Sequence, residues 1–397
     1  MGNRNDIVLE LRKRVIACID IGSDIQDDEL HRVIDEVIDE RNHDVHMPVY
    51  ERIGIHKQIF DSLRGFGIIS ELLLDDEITE IMVNNPEDIF VEKRGVISKI
   101  TDSFFSNEQL EDVIQQIAAL ANKRVNQANP IVDTRLADGS RVNIVLNPIS
   151  IEGSAITIRK FPKDSITMKR LVEMGSLTGQ AADFLKNLVE SGYNIIVSGG
   201  TGTGKTTFLN ALSDFIPTRE RIVTIEDSAE LRLHNVENII RMEVRQQNVE
   251  GKNGVSIREL IRTSLRMRPD RIIVGEVRGE EAIDMLQAMN TGHEGSLSTI
   301  HANSAADMIS RLGVMCLMGA NMPLEAIMGQ ISSAVDIIVH LGRFRDGSRG
   351  VIEICEVGSV ISGEIEINPI FVRKKGIGGS LEATGNKLIR RSKLERL

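Results

Sequence analysis

The chain has 397 residues, 41% of them hydrophobic, and 58 acidic against 47 basic side chains leave it a net charge of −11. That length admits two or three domains with sizeable cores. The acidic balance argues against sequence-independent binding of nucleic acid, which needs a basic surface, though not against a local basic channel.

The first residues, MGNRNDIVLELRKRV, are charged and lack a signal-peptide core. Met1-Gly2 opens like an acylation site, but Asp6 stands where Ser or Thr is wanted. Val8, Leu11, Val15 and Ile19 then recur at helical spacing. Leu30, Val33, Ile34, Val37 and Ile38 share one face of a second helix whose acidic residues face solvent. A third amphipathic stretch runs from Ile55 to Leu74. These segments predict a helical unit over 1–72.

The texture changes near Asp75. EITEIMVNN, DIFVEKRG, RVNIVLNPIS and SAITIRKF read as short strands between turns. Ser106–Asn122 reads as a helix capped by Ser106. This predicts an α+β domain over 73–161. PKDSITMKRLVEMG follows as a linker and first helix, with a hinge expected near Phe161–Asp164. From Tyr193 onward NIIVS, RIVTIED, RIIVGE, SLSTIHA and DIIVHL are near-continuous apolar strands separated by helices. That pattern predicts a parallel sheet covered on both faces, over 162–370. The residues from 371 to 397 are rich in Gly, Lys and Arg and weakly patterned. No apolar run reaches the length of a membrane span. Cys18, Cys316 and Cys355 stand far apart, form no metal or disulfide framework, and are expected as buried apolar residues in a reducing compartment. A soluble, cytoplasmic protein that meets a membrane only through partners is expected.

The run SGGTGTGKTTFLNAL, Ser198–Leu212, carries the strongest chemical signal. A glycine, four residues and then Gly-Lys-Thr form the phosphate-binding loop pattern. Small residues at Gly199, Gly200, Gly202 and Gly204 let the backbone approach a phosphate, and successive N–H groups make an anion nest at a helix N-terminus. Lys205 supplies a cation for the β and γ phosphates, and Thr206 a hydroxyl for Mg²⁺. The strand before and the amphipathic helix after are the context such a loop requires.

Two further strand ends carry acids. RIVTIEDSAEL places Glu226, Asp227 and Glu230 there, and RPDRIIVGEVRG places Glu276 beside Arg278. Ligands of open α/β sheets collect at such ends. Gly275 occupies the position where many phosphate-loop ATPases carry an Asp for the Mg²⁺ shell. Glu276 therefore keeps the water-polarising place, and metal binding rests on Thr206, water and the Glu226 region. TGHEGSLSTIHANS contributes His293 and His301; a His ending a strand can hydrogen-bond a γ-phosphate. Arg135 and Arg141 flank the Asp138-Gly139 turn of a hairpin, as surface cations or as arginine fingers reaching a nucleotide when domains or subunits close.

Together these runs resemble the secretion ATPase superfamily, the hexameric motors of type II secretion, type IV pili and type IV secretion, from about Ile69 to Phe371. GGTGTGKTT looks like its Walker A motif and TIEDSAEL like its aspartate box. RPDRIIVGEVRG resembles its atypical Walker B, and TGHEGSLSTIHANS its histidine box. Without a CxxC pair the chain departs from members with a zinc insertion, so no structural zinc is expected. EIMVNNPEDIFVEKRG, VDTRLADGSRVNIVLNP, LRMRPDRIIVGEVRGEEAIDMLQAMNTGHEGS and the leading helical unit most resemble the CpaF (TadA-like) ATPases of Flp/Tad pili.

The resemblance implies a RecA-like phosphate-loop C-terminal domain preceded by a PAS-like α+β domain, a homo-hexamer, and an inner-membrane platform protein as partner. It implies ATP held by Gly200, Thr201, Gly202, Thr203, Gly204, Lys205, Thr206 and Thr207, and Mg²⁺ by Thr206 and Glu226. It gives Glu226 and Glu276 to water activation, His301 to phosphate sensing, and Arg135 and Arg141 to the γ-phosphate. The expected function is an ATPase assembling or retracting a pilus. The alternatives are a type IV secretion or conjugation motor exporting protein or DNA, a RecA-like DNA translocase, and a nucleotide-binding scaffold without turnover; nucleic acid is not expected as a partner.

Overall fold

A computed structural model describes residues 4–19, 26–44, 47–93, 95–161, 166–245, 253–374 and 379–396. Met1, Gly2 and residues 162–164 of the expected hinge lie outside the described residues. The chain divides into two compact units, 1–163 and 164–397.

The first unit begins with helices α1 (Arg4–Cys18), α2 (Asp27–Asp44) and α3 (Val49–Arg64). Val8, Leu11 and Val15, Leu30, Ile34, Val37 and Ile38, and Ile55 and Ile59 close one core between them. Periodicity alone identifies most of these positions. The stretch expected as a single segment from Ile55 to Leu74 is instead two helices, with α4 (Ile68–Leu74) following a break. Gly67 sits at φ +57°, and a Cβ on Gly65 would lie 3.0 Å from the Asp61 carbonyl oxygen. Cys18 is exposed rather than buried, because it lies off the apolar face of α1.

Strands β1 (Ile78–Val83), β2 (Ile89–Lys93) and β3 (Val96–Lys99), helix α5 (Asn107–Leu120), and strands β4 (Ile131–Arg135), β5 (Arg141–Val145) and β6 (Ala155–Arg159) complete the unit. The strands form one antiparallel sheet in the order β3-β2-β1-β6-β5-β4. Alternate residues such as Ile81, Val83, Val142, Ile144, Ile156 and Ile158 join the α5 residues Val113, Ile114 and Ile117 in a second core. Ser106 caps α5, accepting from the Gln109 N–H at 3.3 Å. β3 carries no alternation because all four of its residues are exposed on an edge.

The second unit contains α6 (Met168–Glu173), α7 (Gly179–Glu190), β7 (Ile195–Gly199), α8 (Lys205–Ser213), β8 (Ile222–Glu226), β9 (Ile239–Glu243), α9 (Ile257–Ser264), β10 (Arg271–Val277), α10 (Ala282–Asn290), β11 (Leu297–Ile300), α11 (Ala305–Gly319), α12 (Leu324–Ala334), β12 (Ile337–Arg343), β13 (Arg349–Ile361), β14 (Glu364–Arg373) and β15 (Leu381–Ala383). They build a nine-stranded sheet in the order β15-β14-β13-β12-β7-β11-β10-β8-β9. The strands from β12 through β9 are parallel, and β13, β14 and β15 add antiparallel. β7 lies in the middle, buried along its whole length, with one apolar core on each face of the sheet. All five strands read from the sequence are present.

Residues after Phe371 belong to this sheet despite their weak pattern. β15 pairs with β14, and Leu381 and Leu388 enter the core. The buried Glu356 carboxylate accepts the backbone N–H groups of Ile389 and Arg390 at 2.8 and 2.7 Å. Among the described residues no single helix is long and apolar enough to cross a membrane.

Candidate functional site

The glycine loop leaves β7 at the centre of the sheet, at the carboxyl ends of its parallel strands. A Cβ on Gly199 would lie 2.7 Å from the Leu341 carbonyl oxygen, so no larger residue fits. Gly202 and Gly204 take φ values of +70° and +90°, which only glycine adopts without strain. Thr203 Oγ1 ties the turn by donating to the Gly200 carbonyl at 2.9 Å. α8 starts at Lys205, so its first-turn N–H groups, with Thr206 and Thr207 among them, have no partner within the helix. Those donors face the loop, where helix dipole and N–H groups together favour an anion.

Lys205 is buried. Its Nζ donates to the carbonyls of Gly199 and Gly200 at 3.1 and 2.9 Å. Burial lowers its pKa, partly opposed by Glu276. The structure brings His301 to it as well, with imidazole nitrogens 3.3 and 3.4 Å from Nζ. His301 leaves the end of β11, and Glu276 sits near the end of β10, its hydrogen-bonded neighbour. His301 Nε2 is 2.6 Å from Glu276 Oε1. Burial lowers the His301 pKa, Glu276 opposes that shift, and Lys205 adds to it. Neutral imidazole therefore dominates at neutral pH.

Arg278 donates to Glu276 Oε2 at 2.5 Å and reaches Asp227 Oδ2 at 3.4 Å. Glu276 Oε1 is buried yet accepts no hydrogen bond among the described residues, because His301 approaches it without hydrogen-bond alignment. A buried carboxylate oxygen with spare lone pairs, beside a lysine at a helix N-terminus, can orient water next to a bound anion.

Glu226 stands differently. It is buried at the end of β8, and its Oε2 accepts the N–H groups of Glu230 and Leu231 at 2.6 and 3.0 Å. Gly275 explains its fit: a Cβ there would lie 2.9 Å from Glu226 Cγ. The glycine read as a missing metal ligand is thus the space that Glu226 fills.

His293 holds a turn, its Nδ1 lying 3.3 Å from the Ala288 carbonyl. Arg135 and Arg141 lie in the first unit, in register across the β4–β5 hairpin, with Arg159 next in register on β6. Sequence reasoning passed over His340 and Glu353. His340 is buried on β12, with Nδ1 2.9 Å from Ser198 Oγ. Glu353 accepts the N–H of Ala305, just beyond His301, at 3.1 Å. DIIVHL is legible as a strand, but nothing in it tells what a strand histidine will touch.

A central glycine loop on a parallel sheet, extended by antiparallel strands and preceded by an α+β unit, defines a RecA-like phosphate-loop domain behind a PAS-like one. The chain belongs to the type II/IV secretion system protein family, whose sequence pattern matches residues 62–355. A putative conjugal transfer protein of Mycobacterium tuberculosis is 32% identical over 81% of this chain and 92% of its own length. The type IV secretion system protein PtlH of Bordetella pertussis is 34% identical over 67% of this chain and 86% of its own. The Legionella pneumophila ATPase DotB, 23% identical, shares the fold with a TM-score of 0.51 over 72% of this chain and 78% of its own.

Proposed function

We propose that this chain is an ATP-hydrolysing motor of the type IV secretion and conjugation kind, exporting protein or DNA. One observation carries the hydrolytic reading: Lys205, Glu276 and His301 converge at the N-terminus of α8, and Glu276 keeps a buried oxygen without a hydrogen bond among the described residues. The names carried by the M. tuberculosis and B. pertussis relatives favour conjugal transfer or type IV secretion as the process served.

The residues present suit a nucleotide. The left-handed glycines and the free N–H groups of α8 fit a phosphate chain, along the run from Gly200 to Thr207. Lys205, held by the Gly199 and Gly200 carbonyls and beside the His301 imidazole, would turn its charge to the β and γ phosphates. Thr206 would hold Mg²⁺, which when bound neutralises charge on phosphate oxygens. Glu276 orients the attacking water and accepts its proton as the water oxygen attacks the γ-phosphorus. Glu226, which accepts the N–H groups of Glu230 and Leu231, holds that loop and would join Thr206 in the Mg²⁺ shell. His301 senses whether the γ-phosphate is present, and Arg135 and Arg141 of the first unit act as fingers on it. The motif resemblance supports a cytoplasmic homo-hexamer on an inner-membrane platform as the working form.

A second reading, a Flp/Tad pilus motor, is supported by sequence runs of both units and by the leading helices. Purified protein tests the chemistry. Lys205→Ala is expected to lose ATP binding or turnover. Glu276→Gln is expected to bind ATP as the parent does and hydrolyse it about 100-fold more slowly, since an amide polarises water poorly. Hydrolysis by Glu276→Gln at the parental rate overturns the assignment. Deleting the gene and scoring export of DNA or protein against surface pili separates the two processes.

A further inference from the structure

The sheet order places the turn between β12 and β13 beside the glycine loop. β12 runs parallel to β7 with Leu341 opposite Gly199, so the carboxyl end of β12 lies at the same end of the sheet as the loop. β13 starts there, one strand further out, about 4.8 Å away in the hydrogen-bonding direction. Three arginines crowd this hairpin: Arg343, Arg345 and Arg349, all exposed. Arg343 and Arg349 are direct cross-strand partners. Like charges placed opposite each other destabilise a strand pair. No carboxylate offsets them, since neither forms an ion pair among the described residues. Asp346, the acid in the turn, is occupied by Ser348, whose N–H and Oγ it accepts at 2.9 and 2.6 Å.

The direction of Arg349 is set by its neighbour. Gly350 faces the packed side: a Cβ on it would lie 2.8 Å from the Ser176 carbonyl oxygen and 3.0 Å from the Arg373 guanidinium. Arg373 in turn lies over the Phe344 ring and bonds the Val351 and Ser176 carbonyls at 2.7 Å, which fixes the base of the hairpin. Strand alternation sends Arg349 to the other face. There its Cδ lies 3.9 Å from the position a Cβ on Gly204 would occupy, over the first residue before α8.

We propose that Arg349, with Arg343 beside it, is a second cationic arm of the nucleotide site, gripping the phosphate chain from the β12–β13 hairpin of the same unit. This rests on the nucleotide reading above. An anion in the loop relieves the Arg343–Arg349 repulsion and gives the guanidinium a partner that its forked donors match. The ligand is the oligophosphate, not the base, so recognition is shared by ATP, ADP and pyrophosphate.

Titration of the full chain with fluorescent ADP, competed by unlabelled ADP and by pyrophosphate, tests this. Arg349→Ala is expected to weaken both competitors by about tenfold, and Arg349→Lys by less, because a lone charged hydrogen-bond pair is lost or reduced. Arg345→Ala, in the turn outside the register pair, is expected to change neither. All three substitutions are at exposed positions, and equal melting temperatures verify folding. If the parent binds ADP and Arg349→Ala binds it within twofold of the parent, this inference falls while the nucleotide site stands. If the parent binds no ADP, or Lys205→Ala binds as well as the parent, both fall.

Discussion

Burial lowers the pKa of His340, in the middle of β12. His340 is enclosed between Ser198 and the backbone of Asn303, and burial pushes it below its ordinary value of 6.5, with Glu353 opposing. The unfolded chain therefore takes up this proton at a higher pH than the folded one. Stability is unaffected by the group above 6.5 and is lost as the pH falls from there through the folded value. A neutral substitute removes the effect. Urea unfolding at about pH 7.5 and about pH 5.5 should show a larger acid loss in the parent than in His340→Gln. Equal losses would mean that His340 keeps its ordinary titration. None of this is visible in the run DIIVHL, since a histidine's neighbours come from β7 and the His301 loop, more than a hundred residues and about forty residues away in sequence, respectively.

Two parallel strands meet closely where β10 passes β8. Gly275 leaves room for the Glu226 side chain, which holds the N–H groups of Glu230 and Leu231. Gly275→Ala should push that carboxylate away and destabilise the protein by about 1–3 kcal/mol, by overpacking and a weakened buried hydrogen bond. Thermal unfolding measures it. In Gly275→Ala with Glu226→Ala the clash is gone, so the double variant should lose less than the two single losses summed. Additive losses would sink the explanation. The sequence alone reads Gly275 as an absent metal ligand, because a motif compares positions along a strand and not across it. The break between α3 and α4 escapes for a related reason: Gly65 and Gly67 cost a helix only about 1 kcal/mol each, so apolar periodicity runs through them.

The whole molecule joins an antiparallel unit carrying Arg135 and Arg141 to a parallel unit carrying the glycine loop. If the two act on one phosphate in an assembled ring, Arg135→Ala should lower ATP hydrolysis by about 10³-fold while ADP affinity stays within twofold of the parent. Turnover measured beside sedimentation, across a dilution series, should fall as the assembly dissociates. Constant turnover per chain on dilution to monomers would refute assembly-dependent catalysis.

Local patterns determined a good deal by themselves. Helical and strand periods located the apolar faces of α1, α2, α5 and five of the six parallel strands, though not β9, because burial is decided mostly by which side of an element a residue occupies. The glycine loop was legible for the same reason: its backbone conformation and its lysine are contiguous in sequence. Tertiary structure decided what depends on strand order. It set Glu276 and His301 together on neighbouring strands, gave Glu226 its backbone partners, brought Arg349 over Gly204, and drew the residues after Phe371 into the core. Contacts between strands distant in sequence are fixed by pairing and packing, and no single run of residues encodes them.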